Sequence, residues 1–423
     1  MILYNLFPLL AGPFTAWQGH IERAAAMGFD WIFVNPVQQS GGSKSLYSIA
    51  DYFSLDTRLV DPKDKRLPEQ QLQAAIQCGE QHGLKMMVDL VINHCAVDST
   101  LVKQHPAWLM HEKDGGIAHP FCIEAGNKKV VWGDLVRFDH EKTTDPQGLY
   151  GYLRKIVGYL LDLGFRGFRC DAAYQIPSRL WQRLIEDVKD GYPDVVFVAE
   201  TLGCTPEESK QTAQAGFDYI FNSVKWWDLE ADWLLKQYNL TRKLAGSIGF
   251  PESHDTERLA TETNGNLAAS KQRYLLAALF SSGVMMPIGY EFGFRKRLNV
   301  VNTQPSDWEK ASFDLQDFIT QVNALKKNQA IFQGENPTRI VRTQQPGVLM
   351  MWKGSESHHQ EALLVFNKNT LRPQRFQADN LNTLIGSGAP LRDVSPEQGE
   401  MVSLSQPFAR ELGPGQVIVL ISG

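Results

Sequence analysis

Cysteine is scarce in this chain. Five occur in 423 residues (Cys78, Cys95, Cys122, Cys170 and Cys204), and no two stand in C-x-x-C spacing. An odd count without that spacing argues against a disulfide framework and against a cysteine-held zinc site. Cys95 and Cys122 fall in one loop-rich stretch and are the one conceivable pair, but free thiols in a reducing compartment are expected. No apolar run reaches the ~20 residues a membrane-spanning helix needs, so no membrane association is expected. Basic runs are absent too, apart from the short "NKKV" at 127–130, and the net charge is −5. Nothing here would attract nucleic acid. The N-terminal "MILYNLFPLLAGPFTAW" lacks a basic start and a small-residue cleavage site, and it carries Pro8 and Pro13. It reads as a first strand and loop rather than a signal peptide, so the expected location is the cytoplasm.

What is present is a globular composition, 43% hydrophobic and 21% charged. Strand-like and helix-like runs alternate along three-quarters of the chain. The strands are "ILYNLF", "WIFVNPV", "KMMVDLVI", "GFRGFRCD", "VVFVAET", "DYIFNSV", "GSIGFPES" and "VMMPIGYE". Helical patterns follow them, among them "LYGYLRKIVGYLLDLG", "WDLEADWLLKQY" and "TPEESKQTAQAG", whose Thr205 and Glu208 form a capping box with Pro206 at the first helical position. Eight βα units predict an α/β fold, a (β/α)8 TIM barrel with a parallel sheet. An open doubly wound sheet is the rival, weakened by the lack of a Gly-rich loop after the first strand. The expected division is a barrel of residues 1–92 and 141–329, a small insertion at 93–140, and a C-terminal domain at 330–423. In that last part "TRIVRT", "GVLMMWKG", "EALLVFNKN", "QRFQA", "MVSLS" and "GQVIVLIS" are short strands between turn residues, which predicts an antiparallel β-sandwich. Trp352 reads there as a core residue rather than a surface platform.

Active sites of such barrels lie at the C-terminal ends of the strands. Polar residues gather there. The third strand ends "VDLVINH" (Asp89, Asn93, His94) and the fourth carries Arg169 and Asp171. The fifth ends in Glu200, the seventh in "ESHD" (Glu252, His254, Asp255) and the eighth in Glu291. Each alone has a structural reading as a cap, a satisfied pair or a buried acid. Together they would place several charges on one face with no task, at a desolvation penalty for each. Perturbed groups in a cleft are the signature of catalysis.

Paired acids with an arginine and two histidines suit glycoside hydrolysis or transfer. A retaining mechanism needs a nucleophilic carboxylate and a protonated one roughly 5–5.5 Å away. Strands lie about 4.8 Å apart, so acids on the fourth and fifth can meet that spacing. Arg169 and Asp171, two apart on one strand, share a face, so the arginine can keep Asp171 ionised. Glu200 follows an apolar run, and burial raises a carboxyl pKa as an acid/base requires.

These segments resemble the α-amylase superfamily, glycoside hydrolase family 13. "DLVINH", "GFRCD", "AE" and "ESHD" resemble its four conserved regions in order. "SLYSIADYFSLD" resembles the segment that carries a sugar-stacking tyrosine, and "GVMMPIGYEFG" the eighth-strand segment. The resemblance implies Asp171 as nucleophile, Glu200 as general acid/base and Asp255 as the third carboxylate, which holds sugar hydroxyls. It implies that His94, Arg169 and His254 line the subsite of the reacting ring and that Tyr47 stacks on that ring. Asp89 would support Arg169. Where many members have Lys-His after the nucleophile, this chain has Tyr174 and Gln175, which places Tyr174 in a sugar subsite. Asn93 and Asp134 match calcium-ligand positions. The insertion is short and Ca²⁺ takes six to eight oxygens, so calcium is not favoured and no cofactor is expected to be required.

The insertion "NHCAVDSTLVKQHPAWL" also resembles the short one of bacterial maltosyltransferases of the same superfamily. Those lack the His-Asp of the fourth region that this chain keeps. This resemblance leaves hydrolysis and transfer both open. The expected activity is retaining cleavage of α-glucosidic bonds in maltooligosaccharides or related α-glucosides, with an intracellular α-glucan transglycosylase as the alternative. A non-catalytic amylase-like scaffold is disfavoured because all three acids stand. The partner expected is an α-linked oligosaccharide. The linkage cleaved and the oligomeric state are not legible.

Overall fold

The computed structural model describes residues 1–124, 128–343, 345–355, 360–385, 389–397 and 407–422. Eight parallel strands close into a barrel in chain order. They are β1 (Ile2–Leu6), β2 (Trp31–Val34), β3 (Lys85–Leu90), β4 (Gly167–Cys170), β5 (Val196–Ala199), β6 (Tyr219–Phe221), β7 (Gly246–Gly249) and β8 (Gly283–Pro287). Each is followed by a helix: α1 (Gln18–Ala26), α2 (Pro68–Gln81), α3 (Pro146–Leu163), α4 (Ser178–Lys189), α5 (Pro206–Ala213), α6 (Trp233–Thr241), α7 (Leu267–Phe280) and α8 (Gln316–Asn328).

Strand residues point alternately into the barrel and outward against the helices, and both faces are apolar, so the strands read as nearly continuous hydrophobic runs. Leu3, Phe33, Met87, Val198, Phe221, Ile248, Phe250 and Met285 fill the barrel's inside. Close packing there leaves little room. A Cβ at Gly167 would stand 2.9 Å from both the Met87 methyl and the Trp31 ring. The β3–β4 register sets Arg169 directly opposite Asp89, which puts both charges at one level inside the barrel.

Local chemistry explains where the helices begin. α3 starts earlier than its apolar pattern, because the Asp145 side chain accepts the Gly148 N–H and Pro146 takes the first position. The Thr205–Glu208 capping box opens α5, with both reciprocal hydrogen bonds formed. α6 starts later than "WDLEADW" suggested. Asp228 accepts the N–H groups of Glu230 and Ala231, and Leu229 has φ +70°, so a turn occupies the first part of the pattern.

Between β3 and α3 the chain forms a two-stranded pair, His94–Ala96 with Leu135–Arg137, and a hairpin, Phe121–Glu124 with Lys128–Val131. Cys78, Cys95, Cys170 and Cys204 are free; the Cys122 side chain lies outside the described residues.

The C-terminal part is antiparallel: β9 (Thr338–Arg342), β10 (Val348–Gly354), β11 (Glu361–Asn367), β12 (Gln374–Ala378), β13 (Leu391–Asp393), β14 (Phe408–Leu412) and β15 (Val417–Ser422). Five of these strands make a sheet in the order β9-β10-β11-β15-β13, and β12 pairs with β14. Phe376, Phe408 and Leu412 of the small sheet pack on Leu363, Val365, Ile418 and Leu420 of the large one, giving two layers over one core. The expected strand "MVSLS" lies outside the described residues. β13 and β14 were not anticipated, since one is three residues long and the other, Phe408–Leu412, has the charged pair Arg410 and Glu411 inside it. Trp352 is half-buried against this core, with Arg339 over its ring and its indole N–H donating to Glu361. Among the described residues no helix is long and apolar enough to cross a membrane.

Candidate active site

Arg169 is the hub at the C-terminal mouth of the barrel. One nitrogen, Nη1, donates to Asp89 Oδ1 at 2.7 Å and to Asp171 Oδ1 at 2.8 Å. The arginine and Asp89 are buried, while Asp171 keeps some exposure toward the opening. The two carboxylates raise the guanidinium's pKa well above its usual value against the burial that opposes its charge. Burial pushes Asp89 up, and the guanidinium pulls it back. The bond to Asp171 is a charge-assisted hydrogen bond that fixes the direction of the carboxylate.

Glu200 follows β5 and is buried. Its Oε2 accepts the Ala172 N–H at 2.9 Å and its Oε1 the Leu202 N–H at 2.8 Å. Burial first, and then the negative charge of Asp171, push its carboxyl up to about 7, with Arg169 opposing. Ala172, the link between the two acids, sits at φ +41°, ψ +46°, in the left-handed region. A non-glycine residue there costs about 1–2 kcal/mol, a strain that the surrounding contacts must hold.

Tyr47 is inserted by the segment between β2 and α2. Its hydroxyl donates to Asp89 Oδ2 at 2.6 Å and receives His254 Nε2 at 2.7 Å and Asn35 Nδ2 at 2.9 Å. Its ring lies parallel to that of His254, 5.9 Å away at 7°. His254 Nε2 also lies 3.1 Å from Asp255 Oδ2. His94 Nε2 donates to the Tyr47 carbonyl at 3.0 Å. Burial lowers the pKa of both histidines, so neutral imidazoles line the site. Each leaves its Nδ1 buried without a partner. Asp255 is the exposed acid of the group, its side chain 58% accessible, and Arg297 Nη2 holds its backbone carbonyl at 2.7 Å.

The expected residues Asp171, Glu200, Arg169, His94, His254, Asp255 and Tyr47 therefore form one connected cluster. Two strand-end acids do not join it. Glu252 turns into a buried pair with Arg258 at 2.7 Å and accepts the Leu259 N–H. Glu291 pairs with Arg23 at 3.1 Å and accepts from Tyr4 and the Gly289 N–H. Both brace loops, because burial made partners obligatory and the nearest donors lie away from the mouth.

Tyr174 lies on a turn at Ala173–Gln175, half-buried, where Gln175 Nε2 donates to its hydroxyl at 3.3 Å. Burial raises its pKa, and the charges of Glu200 and Asp171 add to that. It shares a polar pocket with Arg137, His140 and Glu208.

Asn93 Oδ1 is buried with no partner, an orphan that a cation would satisfy. Asp134 offers its backbone carbonyl to Val97 and Ser48 instead. Among the described residues no three His, Cys, Asp or Glu side chains converge to hold a metal ion. This donor set is thin for Ca²⁺, which takes six to eight oxygens.

Sequence reasoning overlooked Asn5 and Asn35. Asn5 Nδ2 donates to Asn35 Oδ1 at 3.0 Å, and Asn35 holds the Tyr47 hydroxyl. The signal was available, since an asparagine interrupts the apolar runs of both "ILYNLF" and "WIFVNPV".

The chain is similar to several known proteins. Residues 2–112 match the family model described as "Glycogen debranching enzyme, glucanotransferase domain". An alpha-1,4-glucan:maltose-1-phosphate maltosyltransferase of Burkholderia pseudomallei is 25% identical over 385 residues, covering 88% of this chain and 33% of the relative. Maltosyltransferase 2 of Streptomyces coelicolor is also 25% identical, covering 75% of this chain and 50% of its own length. Together these similarities support an α-amylase superfamily member. A noncanonic maltogenic α-amylase of Thermotoga neapolitana superposes with TM-score 0.78 at 19% identity, covering 100% of this chain and 98% of its own. An α-amylase of Lactobacillus plantarum gives TM-score 0.78 at 17% identity with the same coverage. The chain spans a third to a half of the length of these maltosyltransferases.

Proposed function

We propose that this protein cleaves α-glucosidic bonds of maltooligosaccharides or related α-glucosides by double displacement. The observation that carries the reading is the pairing of two acids in different surroundings. Asp171 is ion-paired to a buried arginine, and Glu200, one backbone link away, is pushed up to about 7 by burial. The acid is the carboxyl whose proton burial retains, and the nucleophile is the one that the arginine orients.

In the first step an Asp171 oxygen bonds to the anomeric carbon. The glycosidic C–O bond breaks, and the leaving oxygen takes the Glu200 proton. Asp171 attacks from a position fixed by Arg169. In the second step Glu200, now a carboxylate, takes a proton from water or a sugar hydroxyl, and that oxygen displaces Asp171. Two inversions give net retention. Asp255, exposed beside His254, is placed to accept hydroxyls of the reacting ring, and Tyr47 to support that ring. In both steps the bond and proton changes fall on the two carboxyls.

Transfer to a sugar acceptor is the second reading. It is supported by relatives that carry the name maltosyltransferase. The preserved His254–Asp255 pair favours neither outcome.

The test is a product profile on α-1,4-, α-1,6- and phosphorylated maltosyl donors, with and without acceptor and chelator. NMR should show the α-anomer first. Asp171→Asn and Glu200→Gln should each lower turnover by several orders of magnitude while remaining folded. A β-anomer formed first, or near-normal activity in either variant, rejects the reading.

A further inference from the structure

We infer that Trp226 is the stacking platform for the sugar on the leaving-group and acceptor side of the site. This rests on the reading above that Glu200 is the acid/base. The turn Val224–Trp226 follows β6. Its neighbours face inward and are tied down. Lys225 Nζ is bound by both oxygens of Glu262, at 3.1 and 2.9 Å. Trp227 is fully buried, its indole N–H donating to the Ala231 carbonyl and its own carbonyl receiving Arg273. Trp226 between them stays 52% exposed, the most open of the described tryptophans.

Its direction is what matters. The Trp226 ring meets Phe250 edge-on, with centroids 5.8 Å apart at 90°. Phe250 belongs to the barrel's interior and lines a small cavity with Arg169, Leu202, His254 and Asp255. An exposed indole that touches an interior residue at the C-terminal end of the strands looks over the mouth, not away from it. β6 is the neighbour of β5, and the Thr201 hydroxyl, one residue after Glu200, donates to the Phe221 carbonyl at the end of β6 at 2.7 Å.

The side of the site follows from the chemistry. A general acid stands beside the oxygen that leaves, so the sugar carrying that oxygen lies on the Glu200 side. Tyr47 approaches from the segment between β2 and α2, on the far side of Asp171 from Glu200 and β6. Leu202 and Trp226 thus form an apolar wall on the leaving-group side, with the buried Phe250 behind the indole. A pyranose ring presents an apolar face of C–H groups, which an indole held on a fixed turn can cover at low entropic cost. The occupant is an α-linked glucose unit, either the leaving residue or the incoming acceptor.

The test uses the full chain. In a Glu200→Gln background, maltoheptaose binding is followed by titration calorimetry for Trp226, Trp226→Ala and Trp226→Phe, with circular dichroism as the check on folding. Alanine should weaken binding about tenfold and phenylalanine should restore most of it, since a ring face suffices. In the otherwise unaltered enzyme, Trp226→Ala should raise the acceptor concentration needed for half-maximal transfer by a similar factor and shift products toward hydrolysis. Equal binding by the parent and Trp226→Ala overturns the platform and leaves the catalytic assignment standing. No α-glucan binding by either form overturns both.

Discussion

The backbone N–H of Ala172 donates to Glu200 Oε2 at 2.9 Å, and Ala172 follows Asp171 directly. The peptide that carries the proposed nucleophile thus also positions the proposed acid/base. Its left-handed conformation, φ +41°, is the local strain that this coupling requires. A β-branched residue tolerates that region poorly. Ala172→Val should cost about 1–3 kcal/mol of stability and lower kcat at least tenfold by displacing Glu200. Ala172→Gly, which relaxes the strain but frees the unfolded chain, should stay within about 1 kcal/mol of the parent. Thermal unfolding and steady-state kinetics on one set of variants check both; unchanged kinetics in the valine variant would refute the coupling.

The pH profile follows from Glu200. Its carboxyl is pushed up to about 7 by burial, so the free enzyme holds the acid's proton below that pH. As pH rises through about 7 the proton is lost, and kcat/KM should fall along a basic limb. The stability sign agrees. Between its ordinary pKa and about 7 the folded state binds more protons at this position than the unfolded one, so this group's contribution to stability declines as pH rises through that window. A profile of kcat/KM from pH 5 to 9 checks the limb; a flat profile above pH 6 would exclude Glu200 as the acid.

Tyr47 holds the site together through its hydroxyl as well as its ring. Tyr47→Phe keeps the ring but deprives Asp89, His254 and Asn35 of a partner. Buried polar groups left unpaired cost about 1–3 kcal/mol each. The expected outcome is a loss of several kcal/mol in denaturant unfolding, together with a lower kcat. A midpoint unchanged from the parent would show that the hydroxyl's bonds are replaceable.

A buried lysine lies at the opposite end of the barrel from the site. Lys326 Nζ donates to the carbonyls of Ala278, Ser281 and Phe332, at 2.7, 2.6 and 2.7 Å, and so caps the C-terminal end of α7. Lys353, from β10, donates to the Phe280 carbonyl beside it. Replacing Lys326 by methionine strands three acceptors without water. A loss of about 3 kcal/mol or more is expected, with catalysis at low temperature retained, since the site is at the other end. Thermal unfolding measures it.

Much of the fold was legible because the strands are short apolar runs bounded by glycine, proline and helix caps. Asp145 and Thr205 announce their helices with side chains that bond within three residues. What was not legible depended on competition between nearby partners. Asp228 looked like part of a helix, yet its carboxylate closes a turn first. β14 escaped notice because a strand with one wet face carries charge like any loop.

The same division applies to the site. Sequence alone determined which residues stand at the strand ends. A period of two fixes Arg169 and Asp171 on one face, and an apolar run before Glu200 ensures its burial. Only the tertiary structure decided which strand-end acids meet. Glu252 and Glu291 also follow apolar strands, but Arg258 and Arg23 pair with them. Trp226 was equally silent, one tryptophan of a pair in "KWWD". Its neighbour is buried and it is not, because Lys225 and Trp227 find partners on the inner side of the turn. Long-range partners fix the fate of a buried charge or an exposed ring, and no local pattern encodes them.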